Sequence, residues 1–298
     1  VKLGLFDKEG NVLDKWEIPT NKANKGEAIL PDIAKSILAK MDEKGIKEED
    51  LAGIGLGAPG AVDDNGTLVG GAVNIGWEPF NIPDAIHAYI NVPVKAANDA
   101  NAAAFGEMWQ GGGKGYNNMV AVTLGTGVGG GIIINGRLLS GATGAGGEIG
   151  HIHMEDNETE ECGCKNKGCL EQYASATGIV RLARRRLAED DKPSVLRGEE
   201  LSAKAVFDAV KAGDEVAIEI ANRFGEYLGK GLAIVAGVVN PEIFVIGGGV
   251  SKAGEILLGF VEPVFQKYAF QQCRGAKFAL AKLGNDAGIF GAAGLILR

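Results

Sequence analysis

A nine-residue echo constrains this chain more than any other feature. Asn98-Asp99-Ala100-Asn101-Ala102-Ala103-Ala104-Phe105-Gly106 returns as Asn285-Asp286-Ala287-Gly288-Ile289-Phe290-Gly291-Ala292-Ala293, and each copy follows a short apolar run and opens a helix of small residues. Residues 131–134 with their Asn135-Gly136 turn match residues 3–13 in the same way. Two strand–hairpin–strand–helix units related by duplication predict an α/β fold with a cleft between its halves. Chance recurrence of an Asn-Asp-Ala helix cap is the competing explanation. The glycine hairpin at 125–131 has no counterpart in the first half, so either a segment ahead of Val1 is expected to supply it, the favoured reading, or that half lacks an edge strand.

Hydrophobic patterning fills in the units. It predicts strands over residues 3–6, 12–16, 54–57, 94–97, 119–124, 131–134, 243–246 and 278–280. Helices are expected over 28–41, 100–109, 171–187, 203–212, 215–238, 253–268 and 287–297. This gives a small α/β domain over residues 1–108, a large one over 109–286, and a last helix, 287–298, that packs back on the first. Apolar residues make up 46% and charged residues 23%, an ordinary globular balance. No apolar run approaches the ~20 residues that span a bilayer. The opening residues are too briefly apolar and too soon acidic for a signal peptide, so no membrane partner and a cytoplasmic location are expected.

The formal net charge is −8. Basic residues are scattered except for Arg184-Arg185-Arg186, which reads as a solvated helix face. Such a chain suits nucleic acid poorly, because affinity there comes from neutralising phosphates. An anionic phosphate donor would instead have to be held locally, by backbone N–H groups and a metal ion.

Three constellations carry chemistry. His151, Cys162, Cys164 and Cys169 offer four borderline or soft ligands within 19 residues, the set tetrahedral zinc prefers. His153 is a rival fourth ligand, and a disulfide is the competing reading. Cys162 and Cys164 are too close in sequence to pair easily, and cysteines stay reduced in the cytoplasm. A closed four-ligand site is structural, and here it would hold the loop that carries Glu148, His151 and Glu171.

Leu124-Gly125-Thr126-Gly127-Val128-Gly129-Gly130-Gly131 lies between two expected strands, where converging N–H groups and the Thr126 hydroxyl suit an anion. No Gly-Lys-Ser/Thr follows, so it is not a P-loop, and a strand follows it, so it is not a dinucleotide fingerprint. Gly247-Gly248-Gly249 is a second such turn, leading towards a helix N-terminus and suited to adenosine or phosphate. Finally, Asn98-Asp99 ends a strand, where open α/β sheets place ligand groups. There a carboxylate can accept the proton of an attacking hydroxyl, or simply cap the helix.

Taken together, these motifs resemble the ROK family of sugar kinases and sugar-responsive repressors, and most closely its bacterial glucokinases. The carriers are Gly57-Ala58-Pro59-Gly60, the Asn98 and Leu124 motifs above, Gly147-Glu148-Ile149-Gly150-His151, Cys162-Gly163-Cys164 and Gly168-Cys169-Leu170-Glu171. The resemblance implies an actin-like fold of duplicated ribonuclease-H-like sheets closing on sugar and Mg·ATP. It implies that Asp99 is the base for a sugar 6-hydroxyl, with Gly60, Asn74, Asn98, Glu148, His151 and Glu171 around the sugar. Gly125, Thr126, Gly127, Gly248 and Gly249 would hold the nucleotide, and His151, Cys162, Cys164 and Cys169 a structural zinc. A homodimer or higher homo-oligomer is the family's common state.

Family members also carry a strand and an Asp-x-Gly-Gly-Thr turn ahead of the position of Val1, and no residue of this chain takes that role. Glucose leads as substrate, through the Asn74-Ile75-Gly76-Trp77 segment. Fructose, mannose, allose and N-acetylmannosamine are alternatives, and polyphosphate is an alternative donor. A sugar-responsive regulator would carry a basic recognition helix ahead of the kinase-like part, where this chain reads as a strand.

Overall fold

Among the described residues of the computed structural model, 1–198 and 200–298, five strands form the largest sheet. Its order is Lys277–Leu280, Ile243–Gly247, Met119–Leu124, Val128–Ile134, Arg137–Leu138. The first three run parallel, and Met119–Leu124 then turns back antiparallel into Val128–Ile134. Every residue of Ile243–Gly247 is buried, as a strand covered on both faces requires. One face packs on helices Ala176–Leu187, Ala203–Lys211, Glu215–Val239 and Ile256–Tyr268 around Phe224, Phe244 and Phe265. The other face takes Ala104 and Phe105 of helix Asp99–Gln110.

In the N-terminal half, Lys2–Phe6 pairs antiparallel with Val12–Glu17, and Ile54–Ala58 pairs parallel with Val94–Asn98. The two pairs do not join. A groove of about 750 Å³ separates them, lined by Leu3, Leu5, Ile54, Leu56, Ile289 and Ile296 among others. In the C-terminal sheet the corresponding place is filled by Met119–Leu124, bonded on both sides. The unmatched position of the repeat is therefore central, not at an edge as the sequence suggested.

The duplication shows in the packing. Helix Ala287–Leu297 lies on the N-terminal strands so closely that a methyl group on Gly55 would overlap the carbonyl of Ala292. The same helix crosses Asp99–Gln110, where a methyl group on Gly291 would overlap the Ala102 carbonyl. Caps set the helix starts: Asn98, Ser175, Ser202 and Asp214 each accept a main-chain N–H from the first turn.

Three boundaries differ from the sequence pattern. The helix expected over 171–187 breaks at Ser175, whose extended backbone (ψ 172°) and capping hydroxyl start a new helix at Ala176. The helix expected from 253 begins at Ile256, after a 3-10 turn over Val250–Ala253. The strand expected from 131 begins at Val128, so the glycine turn is tighter than read. The short elements Thr67–Leu68, Phe80–Asn81 and Ile82–His87 had no expectation.

The helix crossing yields a paired test. Gly291→Val should lower unfolding free energy by about 1–3 kcal/mol or more through overpacking. Gly259→Ala, on an exposed helical position with open space around it, should raise it by about 0.5–1 kcal/mol. Urea midpoints of both variants check the contrast.

Candidate functional site

The parallel strands Ile54–Ala58 and Val94–Asn98 end together, Ala58 opposite Asn98. The Asn98 side chain then does two jobs. Its Oδ1 accepts the N–H groups of Ala100 (2.9 Å) and Asn101 (3.2 Å), and its Nδ2 donates to the Gly60 carbonyl (2.9 Å). This leaves Asp99 exposed at the first helical position, where its Oδ1 accepts the adjacent Ala100 N–H (2.8 Å). Gly60 rests against Gly71, which brings up the turn closed by the Ala72–Trp77 bridge and carrying exposed Asn74. The second Asn-Asp copy behaves differently: Asp286 makes no cap and pairs with Lys15 (2.6 Å) and Lys2 (3.6 Å).

The opposite wall comes from residues 141–171. Gly144 packs on Val62, and Gly147 packs on Gly130, which sets Glu148 and His151 beside the glycine hairpin. The His151 ring is shared: Nδ1 lies 3.7 Å from Cys162 Sγ, while Nε2 faces Glu148 Oε2 at 3.8 Å. Cys164 and Cys169 sulfurs are 3.6 Å apart, and the ligand atoms of His151, Cys162, Cys164 and Cys169 all lie within 4.8 Å of one another. Ligands at about 2.3 Å from one ion at tetrahedral angles stand roughly 3.8 Å apart, so the donor set fits zinc. His153 is not part of it. Its two ring nitrogens meet the Lys167 carbonyl (2.9 Å) and Asp156 (2.8 Å). Burial pushes the Cys169 thiol up to about 12, and it raises Cys162 too. The Asn166 main-chain N–H lowers Cys164.

Glu171 joins this cluster to the hairpin. Its Oε2 accepts the Val128 N–H at 2.9 Å, and its Oε1 lies 3.5 Å from Cys162 Sγ. The turn itself is held from behind, by Ala176 N–H on the Gly125 carbonyl and Thr177 hydroxyl on the Thr126 carbonyl. Thr126 stays exposed. Among the described residues, the Thr126 and Gly127 N–H groups find no protein acceptor. Gly248, at φ 86°, sits directly against Leu124, so the second glycine turn adjoins the first. The structure thus places Asn98, Asp99, Gly60 and Asn74 around the ends of the N-terminal strand pair, and Glu148, His151 and Glu171 with the two turns around the glycine hairpin.

Comparison with known proteins matches the ROK family model to residues 1–298. The chain belongs to the ROK family. A glucokinase of Halalkalibacterium halodurans is 43% identical over 99% of this chain and 91% of its own length. A ROK glucokinase from Streptomyces griseus, solved with glucose and AMPPNP, is 33% identical and superposes with a TM-score of 0.72, covering 98% of this chain and 94% of that one. A ROK hexokinase from Thermus thermophilus is 30% identical, with a TM-score of 0.80 over 98% and 97% of the two chains. The fold is therefore the actin-like fold of ROK sugar kinases.

In this ROK chain the His/Cys loop has a buried anchor that sequence reasoning missed. The carboxylate of buried Glu158 accepts the Tyr173 hydroxyl (2.5 Å) and two Arg185 nitrogens, and the Arg181 Nη2 lies 2.6 Å away. Burial alone would raise its pKa, but Arg185, Tyr173, the Glu160 N–H and Arg181 together hold it well below the usual carboxylate range. The basic triplet is correspondingly not one solvated face. Arg185 binds Glu158, and Arg186 is buried against Glu219 and Asp190. The signal was present in the helical phase, since Leu182, Ala183 and Arg186 are buried along one side.

Glu158→Gln should lower stability by about 1.5–3 kcal/mol, because it removes the charge from the buried hydrogen bonds to Tyr173, Arg181 and Arg185. Since the folded-state pKa is depressed, the Glu158 contribution is complete above the usual carboxylate range and lost as pH falls below it. Chemical unfolding at pH 7 and pH 3.5 checks both statements: the gap between wild type and variant should narrow at the lower pH.

Proposed function

We propose that this ROK protein is an ATP-dependent glucokinase that phosphorylates glucose at O6. The observation that carries the reading is the exposed carboxylate of Asp99, which follows the end of the parallel strand Val94–Asn98 and opens helix Asp99–Gln110. Identity of 43% to a glucokinase over nearly the whole chain supports the same activity.

The chemistry follows from the side chains. Asp99 accepts the proton of the 6-hydroxyl as that oxygen attacks the terminal phosphorus; the new O–P bond forms, and the bond to ADP breaks in line with it. Thr126 and the unpartnered N–H groups of the hairpin hold the phosphate tail, and Gly248 and Gly249 leave room for the nucleoside. Mg²⁺ arrives with the nucleotide and offsets its charge. Gly60, Asn74, Asn98, Glu148, His151 and Glu171 read the sugar hydroxyls. Such a site discriminates because an absent or misplaced hydroxyl leaves buried polar groups unpaired.

A structural zinc on His151 Nδ1, Cys162, Cys164 and Cys169 would fix the wall that carries these groups. The His151 Nε2 would stay free to face the sugar beside Glu148. Exposed Ile234 and Val238 follow Lys230 at helical spacing, Lys230 lies over exposed Tyr268, and these apolar groups support a homodimer, which light scattering at the mass of a single chain would remove. A cytoplasmic location fits the activity.

Coupled turnover of a hexose panel with Mg·ATP should show strong preference for glucose, and preference for another hexose would revise the substrate. Asp99→Asn should lower kcat by three orders of magnitude or more, about 4 kcal/mol in barrier, with glucose affinity retained; undiminished turnover would remove Asp99 as base. Metal analysis should find one zinc per chain, and Cys164→Ser should lose it.

A further inference from the structure

Two stretches of chain join the two sheets. Residues 111–118 run from helix Asp99–Gln110 to strand Met119–Leu124, and residues 281–286 run from strand Lys277–Leu280 to helix Ala287–Leu297. Both are gathered on one side chain that has no part in the chemistry above. Glu107 is 4% exposed. Its Oε2 accepts the N–H groups of Gly112 (2.8 Å) and Lys282 (3.0 Å), and its Oε1 accepts that of Leu283 (2.8 Å). Its own carbonyl accepts Gly111 (3.1 Å) and Gly113 (2.9 Å). The outgoing crossing is pressed onto this residue, since a methyl group on Gly111 would overlap the Glu107 carboxylate.

A simple helix-end cap would need only the outgoing crossing. Here 175 residues separate Glu107 from Lys282, so the carboxylate ties together the two chain segments about which the halves can turn. It also stands on the helix whose first residue is Asp99, eight positions and about 12 Å away. If the halves turn while these bonds hold, that helix must turn with them.

We propose that Glu107 is the hinge pin of cleft closure, a positioning residue that couples the angle between the halves to the placement of Asp99. The proposal rests on the kinase reading for its kinetic readout only. All three side-chain bonds come from main-chain N–H donors, so an amide in place of the carboxylate turns one NH₂ towards a donor and loses at least the Leu283 bond, or both the Gly112 and Lys282 bonds, while keeping the shape.

The test compares wild type, Glu107→Gln and Asp214→Asn by small-angle scattering with and without glucose and by steady-state kinetics. Asp214 caps helix Glu215–Val239 and holds Val195 N–H, away from both crossings, so its variant reports loss of stability alone. Wild type should contract on adding glucose. Glu107→Gln should fail to contract and lose about tenfold or more in kcat, even at temperatures where melting curves show it fully folded. Asp214→Asn should melt earlier yet keep contraction and kcat. Glu107→Gln with wild-type contraction and kcat overturns the proposal, as does a loss that only tracks the unfolded fraction or a wild type that does not contract. Contraction without turnover in the wild type would count against the kinase reading instead, and the hinge would then be judged on scattering alone.

Discussion

The close contact between helices Asp99–Gln110 and Ala287–Leu297 is the constraint on which the rest depends. Backbone meets backbone there because Gly106 and Gly291 carry no side chain, and neither helix could come nearer with even a methyl group in the contact. Small residues give little apolar area, so the contact gains through dispersion and precision rather than bulk burial. Each helix also reaches a sheet: Asp99–Gln110 covers one face of the five-stranded sheet, and Ala287–Leu297 lies along the N-terminal strands. The pair is thus the axle between two halves that otherwise bury separate cores.

The surroundings of the two copies explain why one carboxylate of the repeated motif stays exposed and the other does not. In both copies an Asn-Asp pair precedes a helix. The first is capped by Asn98, whose amide also clamps the Gly60 loop, and this frees Asp99 towards the cleft. In the second, Lys2 and Lys15 of the N-terminal hairpin neutralise Asp286. Duplication supplied two equivalent carboxylates; the neighbours decided which one stayed available.

What could be read in the sequence was whatever is local or periodic. The repeat, the His-Cys cluster and the glycine turns all announce themselves within a few residues, because cap, ligand and turn chemistry act over such spans. The misreadings fall where distant groups decide. Ser175 breaks a helix that its apolar period would continue, because its hydroxyl caps Gly178 N–H instead. The groove in the N-terminal half is central because a sheet position is fixed by partners on both sides, which hairpin counting does not reveal. Glu158 and Glu107 were missed for the same reason: a lone glutamate gives no sign that its partners are arginines on a later helix or N–H groups 175 residues away.

The loop that carries the His/Cys cluster shows why a staple is needed at all. From Gly141 to Cys169 the chain has no α-helix and only isolated bridges, yet it carries Glu148 and His151. Ordering so irregular a stretch costs about 1–2 kcal/mol of backbone entropy per residue, and little apolar surface is buried in return. Two polar anchors offset that cost from either side. The four-ligand cluster ties Cys162, Cys164 and Cys169 to His151, and the Glu158 carboxylate ties the loop to helix Ala176–Leu187. Glu171 then relays the result to the Val128 N–H, at the base of the glycine turn. Glu148, His151 and the glycine hairpin are in this way set by one connected scaffold, so a loosened loop would disturb both walls at once.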